Sequence, residues 1–224
     1  MTLRPFAEIE SLAFTRHGKD VVEQRLSRPQ TAGAIAAQTD DRWLSELSRI
    51  VFQTGFNWTV VDNKWPAFER EFGGFNLAYC RQLSDEQLED IMQRDGLIKH
   101  WAKIKSITDN AVYLSELVAV HGSVGAYFSN WQAADYGDNI SALQKCGSRL
   151  GGKTAQIWLR RMGVDALIFS NDVIAGLKRE GVVNSAPSSK KAWASVQQAL
   201  DIWRQQSGRS LNEISQILAL SVES

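Results

Sequence analysis

The chain has 224 residues, 44% of them apolar, and its 25 basic and 25 acidic side chains give a formal net charge of zero. This composition can form a sizeable core and excludes a largely disordered chain. Because the chain as a whole has no excess of positive charge, any binding of nucleic acid requires a local basic surface.

The cysteine content and the N-terminal sequence bear on the compartment. Cys80 and Cys146 form neither a disulfide framework nor a CxxC motif, which favours a reducing compartment. No apolar run approaches the roughly 18 residues of a membrane span. Glu8 and Glu10 stand where a secretory signal would be basic and then apolar. We therefore expect a cytoplasmic protein without a membrane partner.

Helical periodicity dominates the chain, and alternating strand patterns are absent. Apolar residues at helical spacing predict short helices over residues 6–13 and 21–26, followed by an Ala- and Gly-rich connector over residues 30–38. Thr39 is suited to cap a longer amphipathic helix that ends near Gly55. The fold class that follows is all-α.

The middle and the C-terminal part of the chain continue this pattern. Residues 84–87 form a capping box before a helix, and residues 101–120 predict a long helix. We expect a loop over residues 127–137. A polar connector over residues 183–191 precedes an amphipathic helix over residues 192–206, and a second capping box over residues 210–213 begins the last helix.

The segment GSRLGGKTAQIWLRRMGVDALIFSND, residues 147–172, combines a glycine turn, basic residues and a carboxylate. Gly151 and Gly152 form a tight turn that leads directly into an apolar-periodic helix. Free N–H groups and the positive end of the helix dipole therefore point away from the glycines, which suits an anion. Asp172 then has the position of an N-cap on the next helix.

This layout resembles the helix-hairpin-helix DNA glycosylases, in which a hairpin reading LPGxGxxTA is followed by a helix, a glycine and a catalytic aspartate. Gly151 and Thr154 hold shared positions, whereas Ser148 and Arg149 replace the proline and the earlier glycine. The segment FQTGFNWTVVDNKWPAFEREFGGFN, residues 52–76, is similar to the QAGLSWxTILxKRxxFRxAFxxFD segment of the DNA-3-methyladenine glycosylase I family.

The resemblance implies a two-lobed helical DNA glycosylase fold with a helix-hairpin-helix motif over residues 147–163. We expect a single glycosylase-like domain over residues 1–224, in which lobe one is formed by residues 1–57 and 174–224 and lobe two by residues 58–173. The expected partner is double-stranded DNA that contains damaged bases. We expect a monomer that uses no cofactor.

The resemblance also assigns residues to a base pocket and to the DNA surface. Trp58 matches the family's tryptophan that stacks on a flipped base, and Gln53 and Ile50 are the other base-contacting positions. An indole face attracts a cationic, N3-alkylated adenine; a plain core position is the alternative role for Trp58. The hairpin residues expected to contact DNA are Arg149, Gly151, Gly152, Lys153 and Thr154.

Asp172 is the expected catalytic carboxylate, because an acid on the sugar face can stabilise an oxocarbenium-like sugar and orient the attacking water. The family spacing allows either Ser170 or Asp172 at the catalytic position, and we choose Asp172 because it alone of the two can carry charge. The alternative role for Asp172 is a purely structural N-cap. Lys153 stands where bifunctional members keep a Schiff-base lysine, so it is either a second catalytic residue or a phosphate contact.

Two features of the type I enzymes are missing. The glutamate that contacts the alkylated adenine is replaced by Ile50, with Glu46 one turn earlier, and Val173 and Leu177 replace zinc ligands, so we expect no metal. The leading prediction is a DNA glycosylase that excises alkylated purines, 3-methyladenine first, by hydrolysis of the N-glycosidic bond. The alternatives are a bifunctional glycosylase and abasic-site lyase that uses Lys153, and a non-catalytic DNA-binding relative.

Overall fold

The computed structural model describes residues 3–223, which form α-helices, two 3₁₀ turns and connecting loops without any β-strand. The predicted all-α fold class is confirmed. None of the helices in this part of the chain is long and apolar enough to cross a membrane. In chain order the helices are α1 (Phe6–His17), α2 (Lys19–Arg25), α3 (Ala32–Ala36), α4 (Asp40–Gln53), α5 (Trp58–Glu71), α6 (Leu77–Cys80), α7 (Asp85–Gln93), α8 (Trp101–His121), α9 (Val124–Ser129), α10 (Tyr136–Cys146), α11 (Thr154–Arg161), α12 (Asn171–Arg179), α13 (Lys190–Ser207) and α14 (Leu211–Leu220).

Two compact units are present. Unit 1 comprises the chain up to Gln30, the segment 132–141 and the chain from Gly163 onward, and unit 2 comprises residues 31–131 and 142–162. These bounds differ from the lobes expected from the sequence, which placed residues 31–57 in lobe one and residues 132–141 and 163–173 in lobe two. The difference arises because α4 packs against α8 and α11, whereas the segment after Gly163 is bonded to α14.

In unit 1, the segment that precedes α12 is fixed by hydrogen bonds to α14. Both carboxylate oxygens of Asp165 accept from the first N–H groups of α14, those of Leu211 at 3.1 Å and Asn212 at 2.9 Å. The amide oxygen of Asn212 accepts from the N–H of Ala166 at 2.9 Å. These bonds satisfy donors that a helix start leaves unpaired, and they set the position at which α12 begins.

In unit 2, buried aromatic rings form the core around α4. Trp43 stacks on Phe128 with ring centroids 4.8 Å apart and meets the edge of Trp158 at 5.6 Å. All three side chains are almost fully buried. This core holds α4, α9 and α11 together, and therefore fixes the ends of α4 and α11 that carry the residues described below.

Local signals in the sequence gave some elements correctly. Both capping boxes are confirmed, since Ser84 with Gln87 and Ser210 with Glu213 make the reciprocal side-chain to backbone bonds. The loop expected over residues 127–137 is wrong in part, because α9 ends at Ser129 and α10 begins at Tyr136.

The connector expected over residues 30–38 contains the short helix α3. Gly125 of α9 permits this packing, because a Cβ at position 125 would lie 2.6 Å from the carbonyl oxygen of Ile35. The periodicity of the connector alone does not indicate a helix of five residues, whose stability depends on this tertiary contact.

Candidate functional site

The glycine turn between α10 and α11 is fixed to α8 by one buried amide. Asn110 donates from Nδ2 to the carbonyl oxygen of Ser148 at 3.0 Å, and its Oδ1 accepts from the N–H of Ser148 at 2.8 Å. Asn110 and Leu150, the apolar residue inside the turn, are both fully buried. The turn is therefore held in one position relative to α8.

Two residues of the turn have left-handed backbone conformations. Arg149 has a φ of 61° and Gly152 a φ of 58°. Arg149 stands where the hairpin pattern has a glycine, and a side chain in this region of φ costs roughly 1–2 kcal/mol. Its Nε donates to the carbonyl oxygen of Ala102 at 2.9 Å. The turn thus keeps the conformation that a glycine would adopt, and a hydrogen bond to α8 offsets part of the cost.

Lys153 is, like Arg149, an exposed cation of this turn. It lies at the N-cap of α11, and no ion pair involves it within residues 3–223. Thr154 is buried, and its N–H donates to the carbonyl oxygen of Gly151 at 3.2 Å. This donor is therefore used inside the turn, whereas we expected from the sequence that the N–H groups after the glycines are free.

Trp58 is an exposed aromatic residue at the start of α5. The N-cap Asn57 accepts from the N–H of Val60 at 3.3 Å and so begins the helix. The side chain of Trp58 is 53% exposed, whereas Trp43, Trp158 and Trp203 are fully buried. Burial of this indole in the core, the alternative considered from the sequence, does not occur.

A charged cluster surrounds this indole, which we call the Trp58 cluster and define as Glu46, Arg49, Gln53, Trp58, Asp62 and Arg161. The guanidinium carbon of Arg161 lies 5.0 Å from the centroid of the Trp58 ring. Nη1 of Arg161 bonds to Oε1 of Glu46 at 2.8 Å. The cluster combines two cations, two carboxylates and one amide from α4, α5 and α11.

Asp62 is the second carboxylate of the Trp58 cluster. Its Oδ1 accepts from Nε of Arg49 at 2.8 Å and from Nε2 of Gln53 at 2.7 Å. The hydrogen bond from Arg49 is the largest influence that holds the pKa of this carboxyl below its ordinary value, and the charge of Arg161 adds to it. Asp62 is therefore an anion at neutral pH.

Two residues predicted to contact a base are buried. Ile50 is 2% exposed and forms part of the core, so its side chain offers no surface to a ligand in this structure. Gln53 is 4% exposed and its Oε1 has no hydrogen-bond partner. A buried acceptor without a partner is uncommon. This oxygen is therefore a free acceptor within the Trp58 cluster, although it lies below the surface.

The structure corrects the local position of Asp172. Ser170, not Asp172, is the N-cap of α12, and its Oγ accepts from the N–H of Val173 at 3.2 Å. Asp172 is the second residue of the helix and is half-buried. The number of residues in the apolar segment between Gly163 and α12 did not show whether Ser170 or Asp172 begins the helix. Asp172 belongs to unit 1, and the Trp58 cluster and the glycine turn belong to unit 2.

No three His, Cys, Asp or Glu side chains within residues 3–223 are grouped so that they could hold a metal ion. Cys80 is buried and Cys146 exposed, and both are free thiols. Burial raises the pKa of the Cys80 thiol to about 12, so this thiol does not ionise at neutral pH.

Sequence reasoning did not predict that the charged residues Glu46, Arg49, Asp62 and Arg161 are grouped around Trp58. Arg49 and Gln53 are four residues apart on α4, as Trp58 and Asp62 are on α5, and residues at this spacing share one helix face. This spacing was available from the sequence. The contact of Arg161 with Glu46 joins positions 115 residues apart, and no local pattern indicates it.

Comparisons with known proteins agree with this fold. A sequence profile of the methyladenine glycosylase family matches residues 33–150. No curated protein matches the chain in sequence. A glutamate-to-glutamine variant of 3-methyladenine DNA glycosylase I from Staphylococcus aureus has 16% identity and a TM-score of 0.51, over 80% of this chain and 98% of that one.

Two 8-oxoguanine glycosylases have a similar structure over more of the chain. The 8-oxoguanine glycosylase/lyase of Methanocaldococcus jannaschii, in complex with a 15mer DNA, has 14% identity and a TM-score of 0.53, over 95% of this chain and 94% of that one. The 8-oxoguanine DNA glycosylase of Thermotoga maritima has 20% identity and a TM-score of 0.51 over the same shares. At these identities the similarity establishes a shared fold, the helical fold of the helix-hairpin-helix DNA glycosylases.

Proposed function

The chain belongs to the methyladenine glycosylase family and is thus a DNA glycosylase, and from this premise we propose that it excises alkylated purines, with 3-methyladenine as the first substrate. The damaged base leaves the duplex and binds against Trp58. The bond that breaks joins the base nitrogen to C1′ of the sugar, and the oxygen of water bonds to C1′ while one proton of that water is released to the solvent. The electron pair of that bond neutralises the positive charge of the alkylated base, which makes such a base a good leaving group.

The exposed indole of Trp58 is the observation that carries this proposal. The side chain of Trp58 is 53% exposed, which leaves aromatic surface available to a ligand. Bases stack on aromatic rings with roughly 1–3 kcal/mol of free energy per base. A cationic base gains further attraction from the face of an indole. The carboxylate of Glu46, which pairs with Arg161 in the same cluster, is an anion that an incoming positively charged base can contact.

We assign the catalytic role to Asp172, whose carboxylate would stabilise the oxocarbenium-like sugar and orient the attacking water. Within residues 3–223 its side chain forms no ion pair, so its charge is not neutralised by a neighbour. Ser170 caps α12 through its hydroxyl group and carries no charge. This difference supports Asp172 over Ser170 for a role that requires an anion.

The test is chromatography of the bases that the purified protein releases from methylated DNA. We expect 3-methyladenine to be released by the wild type and the rate to fall about 100-fold in Asp172→Asn. Ser170→Ala, which removes a cap but no charge, is the matched control and should lower thermal stability more than the rate. If the wild type releases no methylated base, the proposed substrate is wrong. If Asp172→Asn keeps the full rate, the assignment of Asp172 is wrong.

A second candidate is a glycosylase with lyase activity that uses Lys153. The observation in its favour is the exposed ammonium group at the start of α11, which forms no ion pair in the described part of the chain. The enzyme of M. jannaschii with a similar fold is a glycosylase/lyase for 8-oxoguanine. A lysine that forms an imine with an abasic sugar is captured by borohydride. Covalent capture in the wild type and its loss in Lys153→Gln would favour this reaction.

A further inference from the structure

The guanidinium group of Arg161 occupies the surface that a base would need. It lies over the ring of Trp58, at 5.0 Å from the centroid, and it is bonded to the carboxylate of Glu46 at 2.8 Å. The group is flat, positively charged and able to donate hydrogen bonds in its own plane. The protein therefore already contains a flat cation that lies over the indole and is paired with an acid.

We propose that Trp58 and Glu46 form a receptor for flat cations, and that Arg161 fills it in the free protein as an internal competitor that an incoming base displaces. The inference rests on the proposed function, because it assumes that the base binds at Trp58. It adds that Glu46 supplies the carboxylate that recognises positive charge, and that Arg161 sets the apparent affinity of the site.

The positions of the three residues support displacement over a permanent structural role. The side chain of Arg161 is 29% exposed and that of Glu46 21%, so both can change partners without leaving a charge in the core. Arg161 is the last residue of α11, where the helix backbone places few constraints on its side chain. Glu46 is one turn before Ile50 on α4, and Ile50 is buried. Glu46 is thus the acidic side chain of α4 that contacts the cation on the indole.

An internal competitor has a defined thermodynamic signature. Every ligand must break the same two contacts of Arg161, so removal of Arg161 should strengthen the binding of all ligands by the same factor. From the usual strengths of a cation–π contact and a partly exposed ion pair, this factor is roughly three- to thirtyfold. An Arg161 that instead remained in place and packed against the bound base would act differently. Its removal would then weaken the binding of a neutral base and strengthen that of a cation.

The test is isothermal titration calorimetry with two small probes, 3,9-dimethyladeninium and 9-methyladenine. They have nearly the same shape, and only the first carries a permanent positive charge. We expect Arg161→Gln to lower the Kd of both by about tenfold with an unchanged ratio between them. We expect Glu46→Gln to abolish the preference for the cation. Arg70→Gln is the matched control, since it removes the same charge from α5 but outside the Trp58 cluster, where Arg70 pairs with Glu71, and it should change neither Kd by more than about twofold.

The inference is overturned if Arg161→Gln leaves both Kd values unchanged, shifts them in opposite directions or binds neither probe while its circular dichroism spectrum remains that of the wild type. If Arg161→Gln does not fold, Arg161→Lys is measured in its place. It keeps the charge but loses the flat group, and it should give Kd values between those of the wild type and those expected for Arg161→Gln. Release of 3-methyladenine from methylated DNA is measured on the same samples. If the wild type releases 3-methyladenine but Arg161→Gln binds both probes with unchanged Kd values, only the inference about Arg161 is contradicted. If the probes bind as expected but the wild type releases no 3-methyladenine, only the proposed function is contradicted.

Discussion

Lys103 shows how a buried charge is stabilised in this fold. The residue is 5% exposed, and its ammonium group donates to the carbonyl oxygens of Val51 at 2.8 Å, Phe52 at 3.2 Å and Thr54. These carbonyls lie at the C-terminal end of α4, where a helix has no internal donors left and its dipole is negative. Burial is the main cause that lowers the pKa of Lys103. The residue thus caps α4 directly before the segment that leads to Trp58.

We predict that Lys103→Met lowers the free energy of unfolding by roughly 2–3 kcal/mol, because buried carbonyl oxygens lose their donor. Urea denaturation measures this change. Lys105→Met is the matched control on the same helix, where the ammonium group is partly exposed and paired with Asp85. Its effect should remain below about 1 kcal/mol. Equal losses in the two variants would show that Lys103 does not act as a helix cap.

At the scale of elements, the glycine turn depends on a residue far from it in the sequence. Asn110 of α8 makes two hydrogen bonds to the backbone of Ser148 while fully buried. The side-chain amide of Asn110 thus supplies one donor and one acceptor to Ser148, as the backbone of a neighbouring residue would. The exposed charges of the turn, those of Arg149 and Lys153, therefore depend on α8 for their position.

We predict that Asn110→Ala lowers the free energy of unfolding by about 2–3 kcal/mol, since it leaves a buried N–H and a buried C=O of Ser148 without partners. It should also weaken binding to duplex DNA, measured by fluorescence anisotropy. Ser115→Ala on the same helix is the control, because its Oγ bonds only to the carbonyl oxygen of Ala111 one turn earlier. Normal DNA affinity and stability in Asn110→Ala would contradict the role given to this amide.

Local sequence signals determine the elements but not the partners of the site residues. The capping boxes at Ser84 and Ser210 were predicted because all the groups involved lie within four residues. The N-cap of α12 was placed two residues too late, because Ser170 and Asp172 are both good N-cap residues and only the backbone conformation distinguishes them.

The resemblance to a family identified Trp58 but not the environment of its ring. The sequence placed Glu46 one turn before the position of the missing glutamate, but it did not indicate that Arg161 lies beside Trp58. The contact between Glu46 and Arg161 depends on how α4 and α11 pack around Trp43 and Trp158. This packing is a tertiary property that single-sequence periodicity does not contain.

At the scale of the whole chain, ion pairs of unit 1 make stability depend on pH. Arg209 bonds to Glu10, Glu23 and Glu213, and its side chain is 17% exposed. The hydrogen bond from Arg209 is the largest influence that lowers the pKa of Glu23 below its ordinary value of 4.5. A carboxyl with a lowered pKa in the folded state stabilises the fold above its ordinary pKa. This contribution is lost as the pH falls through the lowered value.

We predict that the free energy of unfolding falls as the pH decreases below about 4.5, the ordinary value for Glu23. Arg209→Gln should lower it by about 2 kcal/mol at pH 7 and make its dependence on pH between 7 and 3.5 shallower. Urea denaturation at several pH values tests both effects. The control is Arg204→Gln, in which the lost pair with Asp201 is 4.0 Å long. A curve for Arg209→Gln that runs parallel to that of the wild type would contradict this account.

We propose that a damaged purine binds at the exposed indole of Trp58 and is then excised. The most direct test of this proposal is the single-turnover rate at which 3-methyladenine is released from methylated duplex DNA by the wild type, Trp58→Ala and Tyr79→Ala, the last being another exposed aromatic residue of unit 2. We expect release by the wild type, a rate at least about tenfold lower in Trp58→Ala because base stacking is lost, and a nearly unchanged rate in Tyr79→Ala. No release by the wild type, or equal rates in the wild type and Trp58→Ala, would contradict it.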